Sequence, residues 1–204
     1  MSLGGCATAE GTRRYRDRLI GAGAARQDHF RGGPGGLTLS SIGLGTYLGQ
    51  HDDATDALYL TAIMQAVKAG CNVIDSAINY RCQRSERVIG RALTEMIRAG
   101  TCRRDEVLIA TKGGFIPYDG EPPRDGYAYV QKTFVMPGIF RPSDVVADCH
   151  CMTPTYLRHQ IAASLANLDL ACLDVYYLHN PETQLEHVSR EEFMARMRAA
   201  FTAL

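Results

Sequence analysis

No apolar run in this chain of 204 residues approaches the roughly 20 residues needed to cross a bilayer. Excess charge is missing too. Lysine plus arginine and aspartate plus glutamate number 22 each, so no global field points to nucleic acid or to an anionic membrane surface. The opening "MSLGGCATAE" lacks the basic patch and apolar core of a secretory signal. Seven cysteines, an odd number spread along the whole length, do not make a disulfide framework. A reducing cytoplasm is therefore the expected compartment. Zinc-site spacing is also lacking: "CHC" at 149–151 offers two thiols and an imidazole, but no second ligand pair matches it, and no metal is expected. "GAGAAR" at 21–26 begins like a dinucleotide-binding turn, without its third glycine or a preceding apolar strand.

What remains is an ordinary globular composition, 46% hydrophobic and 22% charged. The length suits one good-sized domain or two very small ones. Residues 1–36 stand apart, with nine glycines and six arginines against Glu10, Asp17 and Asp28. Together with "RGGPGGL" at 31–37, this composition reads as a loose tail or a short hairpin leading into the domain.

After residue 37 a rhythm sets in. A short strand is expected near Ile42 to Leu44, and "TDALYLTAIMQAVKAG" carries a helical apolar stripe that stops at Gly70. "CNVIDSA" reads as a strand, "SERVIGRALTEMIRAG" as a helix and "DEVLIATK" as a strand again. A long irregular insertion follows at about 113–152, in which Phe115 and Tyr118 are candidates to shape a pocket. Thr153-Pro154 then opens a helix, "LDVYYLHN" gives a fourth strand, and "SREEFMARMRAAFTAL" opens a last helix. Alternating strands and helices with near-continuous apolar strands imply βαβ units around a parallel sheet, an α/β barrel or an open doubly wound sheet.

Three of the four apolar runs end on an ionisable residue: Asp75, Lys112 and His179. Tyr80 lies just beyond the first. Parallel α/β folds place their ligands at the carboxyl ends of the strands, so one rim is expected to collect a carboxylate, an ammonium, an imidazole and a phenol. A phenol is a weak acid at neutral pH. An ammonium about 4 Å away stabilises the phenolate by up to about 4 kcal/mol at an effective dielectric near 20. Asp75 would keep Lys112 charged and aimed, and His179 could orient a carbonyl oxygen. The set suits protonation of an oxygen whose carbon receives a hydride.

At these residues the sequence resembles the aldo-keto reductase family. The matching pieces are "IGLGTY", "NVIDSAINY", "SERVIGRAL", "VLIATKGG" and "LDVYYLHNPE", in the family's order from about Leu37 to the end. The resemblance implies a TIM-type (β/α)8 barrel, of which residues 37–204 would supply about the first four βα units. The chain is then expected to be truncated, or a half-barrel that pairs with another copy through its exposed sheet edges. It further implies NADPH-dependent interconversion of small-molecule aldehydes or ketones with alcohols. Tyr80 would be the proton donor, Lys112 and Asp75 its tuning pair, and His179 the carbonyl orienter. Gly45, Thr46, Tyr47 and Asp75 would lie at the nicotinamide, with Asn180 beside them and its role open. The alternative is a catalytically silent fragment serving as a scaffold or binding subunit.

Overall fold

A computed structural model describes residues 2–204. Helix α1 (Ala9–Gly21) is capped by Thr8, whose hydroxyl accepts from the Gly11 N–H at 2.9 Å. A two-stranded antiparallel hairpin follows, β1 (Phe30–Gly32) against β2 (Thr38–Ser40). Strands and helices then alternate: β3 (Leu44–Gly45), α2 (Asp53–Lys68), β4 (Val73–Asp75), α3 (Arg84–Arg98), β5 (Leu108–Gly113), the short α4 (Gly126–Val130), α5 (Pro154–Leu168), β6 (Val175–Leu178) and α6 (Arg190–Ala203). Among the described residues the parallel sheet has four strands, in the order β3-β4-β5-β6, which is also their order along the chain.

Helix α3 shows why these segments fold as they do. Val88, Ile89, Ala92, Leu93 and Met96 are buried at helical spacing, while Arg87, Arg91 and Arg98 face outward. Its buried stripe packs with Ile63 and Val67 of α2, Leu168 of α5, and Ile74 and Ile109 of the sheet. Each such side chain contributes about 1.5–3 kcal/mol on burial. Gly90 permits the crossing of α3 and α5, because a Cβ there would stand 2.5 Å from the Leu168 carbonyl oxygen. Ile74 and Ile109, paired across β4 and β5, turn to this helical side. Asp75 and Lys112 point to the opposite face, as strand alternation requires.

Two expectations need correcting. Residues 1–36 are not a loose tail: α1 carries Tyr15, fully buried, whose hydroxyl donates to the Val67 carbonyl. Arg14 and Arg18 of the same helix reach the buried Glu106, so two of the six arginines that looked like tail composition are paired with the domain. The hairpin part of the expectation matches β1 and β2, but it straddles residue 37. The insertion at 113–152 is likewise not shapeless. Helix α4 runs on into a π-helical turn at Gln131–Val135, and Phe134, Phe140, Cys151 and Tyr156 form a separate apolar cluster. The first parallel strand lies at 44–45, slightly beyond its expected place. Thr153 does stand at the start of α5 with Pro154 in the first turn, although its side chain caps nothing there. No helix among the described residues is long and apolar enough to cross a membrane.

Candidate active site

Asp75 ends β4 opposite Ala110, and Lys112 stands two residues further along β5 on the same face. The Lys112 ammonium donates to Asp75 Oδ2 at 2.6 Å, to the Ser76 carbonyl at 2.8 Å and to the Tyr80 phenol oxygen at 3.3 Å. An ammonium has three protons and no acceptor, so all three are committed. The phenol oxygen accepts one of them and keeps its own proton to give away. Asp75 lies closer to the nitrogen than the phenol does, and it offsets part of the field that Lys112 exerts on Tyr80. The Lys112 side chain is 16% exposed and that of Asp75 40%, so the carboxylate still faces the open mouth.

Tyr80 is delivered by an unusual turn. After it, Arg81, Cys82 and Gln83 all adopt left-handed conformations, with φ of 49°, 55° and 69°. Non-glycine residues enter that region only when their surroundings hold them. Here Arg81 does the holding: its buried guanidinium donates to the Gln50 carbonyl at 2.7 Å and pairs with Asp56 at 2.5 Å. The turn is thereby tied to the loop between β3 and α2 and to the first turn of α2.

His179 follows β6, and its N–H donates to the Gly113 carbonyl at 2.7 Å. Its ring stands edge-on to Tyr80 with centroids 5.5 Å apart, and edge-on to Phe115 at 5.0 Å. Burial, assisted by the Lys112 charge, pushes its pKa down to about 4, so the imidazole is neutral across the physiological range. Its Nδ1 meets the Asn79 side-chain oxygen at 3.1 Å. With that oxygen facing the ring, Nδ1 carries the proton and Nε2 is an acceptor; a half-turn of the Asn79 amide would reverse the two.

Asp75, Tyr80, Lys112 and His179 thus gather at one rim, and Phe115 joins them. Tyr47 is exposed and lies edge-on to Tyr80 at 5.0 Å. Gly45 borders open space, with nothing within 4 Å of where a Cβ would be. Asn180 is exposed, in a left-handed conformation that starts the turn Pro181–Glu186. Thr46 departs from expectation. It is fully buried, and its hydroxyl donates within the fold toward Ser76 and the Asp75 carbonyl, so its side chain braces β3 against β4. Tyr118 also lies elsewhere, edge-on to Tyr129 inside the insertion. Sequence reasoning missed Asn79 and Arg81, although both adjoin Tyr80 in "INYR" and could have been weighed with it.

Residues 41–203 match the family model described as Aldo/keto reductase family. Curated relatives include the NADH-specific methylglyoxal reductase of Escherichia coli (strain K12), 26% identical over 151 residues that cover 70% of this chain and 39% of the relative. Prostaglandin F synthase 1 of Bos taurus is 24% identical over 146 residues, covering 72% of this chain and 33% of the synthase. The chain therefore spans well under half the length of these relatives. A solved thermostable aldo-keto reductase, in complex with the inhibitor epalrestat, superimposes with a TM-score of 0.51 at 21% identity, over 83% of this chain and 48% of that one. At that identity the likeness speaks for the fold alone, a TIM-barrel-like α/β arrangement.

Proposed function

The chain belongs to the aldo/keto reductase family, and on that premise we propose that it reduces aldehyde or ketone carbonyls to alcohols with NADPH. One observation carries this reading: a single ammonium joins the carboxylate of Asp75 to the phenol of Tyr80, with the neutral imidazole of His179 edge-on to that phenol. The reduced nicotinamide, when bound, supplies the hydride that reaches the carbonyl carbon. Tyr80 gives its hydroxyl proton to the carbonyl oxygen. Lys112 stabilises the phenolate left behind until solvent reprotonates it, and Asp75 keeps the ammonium in place. His179 steers the substrate oxygen through Nε2. It accepts from an alcohol when Asn79 presents its oxygen to the ring, and donates to a carbonyl after the half-turn.

The mouth fits the nicotinamide end of such a cofactor. Space is open above Gly45, Tyr47 offers an exposed aromatic face and Asp75 is partly uncovered. Those residues and Asn180 would border the nicotinamide. A second copy, pairing through an exposed sheet edge, would supply groups for the adenosine end and walls for a small-molecule carbonyl pocket. Strands β3 and β6 are the edges of the parallel sheet among the described residues, and an open edge invites pairing. Sedimentation of the purified chain checks that assignment: pairing between copies appears as a concentration-dependent dimer. The choice of NADPH also belongs to the proposal, since one relative is named NADH-specific.

The second reading is a catalytically silent scaffold or binding subunit. Fluorescence titration with NADPH and with NADH, followed by loss of reduced-nicotinamide absorbance on adding an aldehyde, separates the readings. Tight NADPH binding with turnover supports the reductase. Absence of binding at millimolar cofactor supports the silent subunit.

A further inference from the structure

The histidine of the "CHC" stretch is held at both ring nitrogens inside the fold. His150 is fully buried. Its Nε2 lies 2.8 Å from the carbonyl oxygen of His179, and its Nδ1 lies 3.0 Å from Nε2 of the equally buried Gln184. Gln184 in turn places its Oε1 2.9 Å from an Arg196 guanidinium nitrogen.

The direction of every bond in this chain follows from donor inventory alone. A guanidinium can only donate, so Gln184 Oε1 accepts. That fixes the amide, and Gln184 Nε2 must donate to His150 Nδ1. The imidazole therefore carries its proton on Nε2 and donates it to the His179 carbonyl. Protonating Nδ1 would set two donors against each other, and burial accordingly holds the His150 pKa below its ordinary value. Two further features serve the same contact. Phe115 lies edge-on between the two imidazoles, 5.0 Å from each. Gly114 leaves room for the His150 ring: its φ is +135°, and a Cβ there would stand 2.6 Å from His150 Nε2.

We propose that His150 is a positioning residue for His179: the His179 carbonyl requires its Nε2–H, Gln184 oriented by Arg196 holds its Nδ1, and the ring so fixed pins the backbone at the end of β6. The insertion and helix α6 thereby fix the imidazole that meets the substrate oxygen. This inference rests on the reductase reading for its consequence in turnover, though not for its geometry.

Imidazole nitrogen NMR of the full chain tests it, with His150 and His179 assigned from their Gln substitutions. His150 is expected to show only the Nε2–H tautomer. His150→Leu should shift the His179 ring resonances and lower kcat for an aldehyde by roughly tenfold to a hundredfold, the scale of a misplaced catalytic group. His150→Gln, which keeps an N–H near the Nε2 position, should restore most of both. A folded His150→Leu with unshifted His179 resonances overturns the proposal. Should His150→Leu fail to fold, Arg196→Met releases Gln184 from outside. The His150 and His179 ring resonances are then expected to shift with the Nε2–H tautomer kept, since the His179 carbonyl can only accept, and unshifted resonances overturn the relay. If the wild-type chain turns over no carbonyl, the reductase reading fails while the spectra still decide the positioning role.

Discussion

The two ends of the parallel sheet use the same kinds of charge for opposite purposes. At the end where the strands begin, Arg104 meets Asp174 at 2.7 Å with side chains 6% and 3% exposed. The two Asp174 oxygens also accept from the Ile109 and Ala7 backbone N–H groups. Glu106 nearby is gripped by Arg18 through both oxygens and by Arg14 through one. Every carboxylate oxygen of Asp174 and Glu106 is occupied by the fold. At the end where the strands finish, Lys112 is equally saturated, but Asp75 is partly bare and the phenol proton of Tyr80 is uncommitted. The closed end spends its hydrogen bonds on holding together, and the open end keeps some in reserve for a ligand. That division is the one expected of parallel α/β folds, stability at one face and chemistry at the other.

Substitutions can break this division or sharpen it. Tyr80→Phe should cut carbonyl reduction by at least about a hundredfold, the usual worth of a positioned general acid, with cofactor binding and the thermal midpoint nearly unchanged. Steady-state assays beside a melt would show it, and an unaltered rate would remove Tyr80 from its role. Asp174→Ala should do the reverse. Breaking a buried pair leaves Arg104 uncompensated and costs about 3–5 kcal/mol in denaturant unfolding, with turnover per folded molecule retained.

Acid should weaken both ends for related reasons. His179 has a folded pKa of about 4 against an unfolded value near 6.5. As pH falls between those values the unfolded chain takes up the proton first, and stability drops. Burial alone would raise the Glu106 carboxyl, but hydrogen bonds from Arg18 and the Arg103 backbone outweigh it and hold the group below its ordinary value. Its contribution is present at neutral pH and lost as pH falls through the carboxylate range. Urea melts across pH should thus lose stability first through the imidazole and then through the carboxylate. Constant stability below about pH 6 would contradict both assignments. The smallest effect belongs to the exposed Arg91–Glu95 pair on α3, 3.0 Å apart, where Arg91→Ala should cost no more than about 0.5 kcal/mol.

The open end was far more legible in the sequence than the closed one. Asp75, Lys112 and His179 announce themselves because each interrupts the end of an apolar run, and Tyr80 sits within a short loop of the first. The structure brings all four together. The closed end gives no comparable signal. Arg14, Arg18, Glu106 and Asp174 come from segments up to 160 residues apart, and nothing in composition pairs them. Glycine and arginine therefore made the first 36 residues look like tail, when a helix lay there with Tyr15 as its anchor. Thr46 shows a different limit. A motif locates a residue along the chain, but only packing decides whether its hydroxyl faces a ligand or the neighbouring strand. His150 was visible within "CHC", yet its partners Gln184 and Arg196 lie more than 30 residues away, beyond the reach of any spacing rule.

The left-handed run after Tyr80 bears on how this protein could be recombined or redesigned. Because Arg81 anchors that run on Gln50 and Asp56, the proposed acid is not portable as the peptide "INYRCQ". A chimera that imports those six residues without the corner they lean on would let the backbone relax to ordinary dihedrals and carry the phenol off target. The smallest transplantable unit of the proposed proton donor is its own loop together with the β3–α2 loop and the first turn of α2, inherited together.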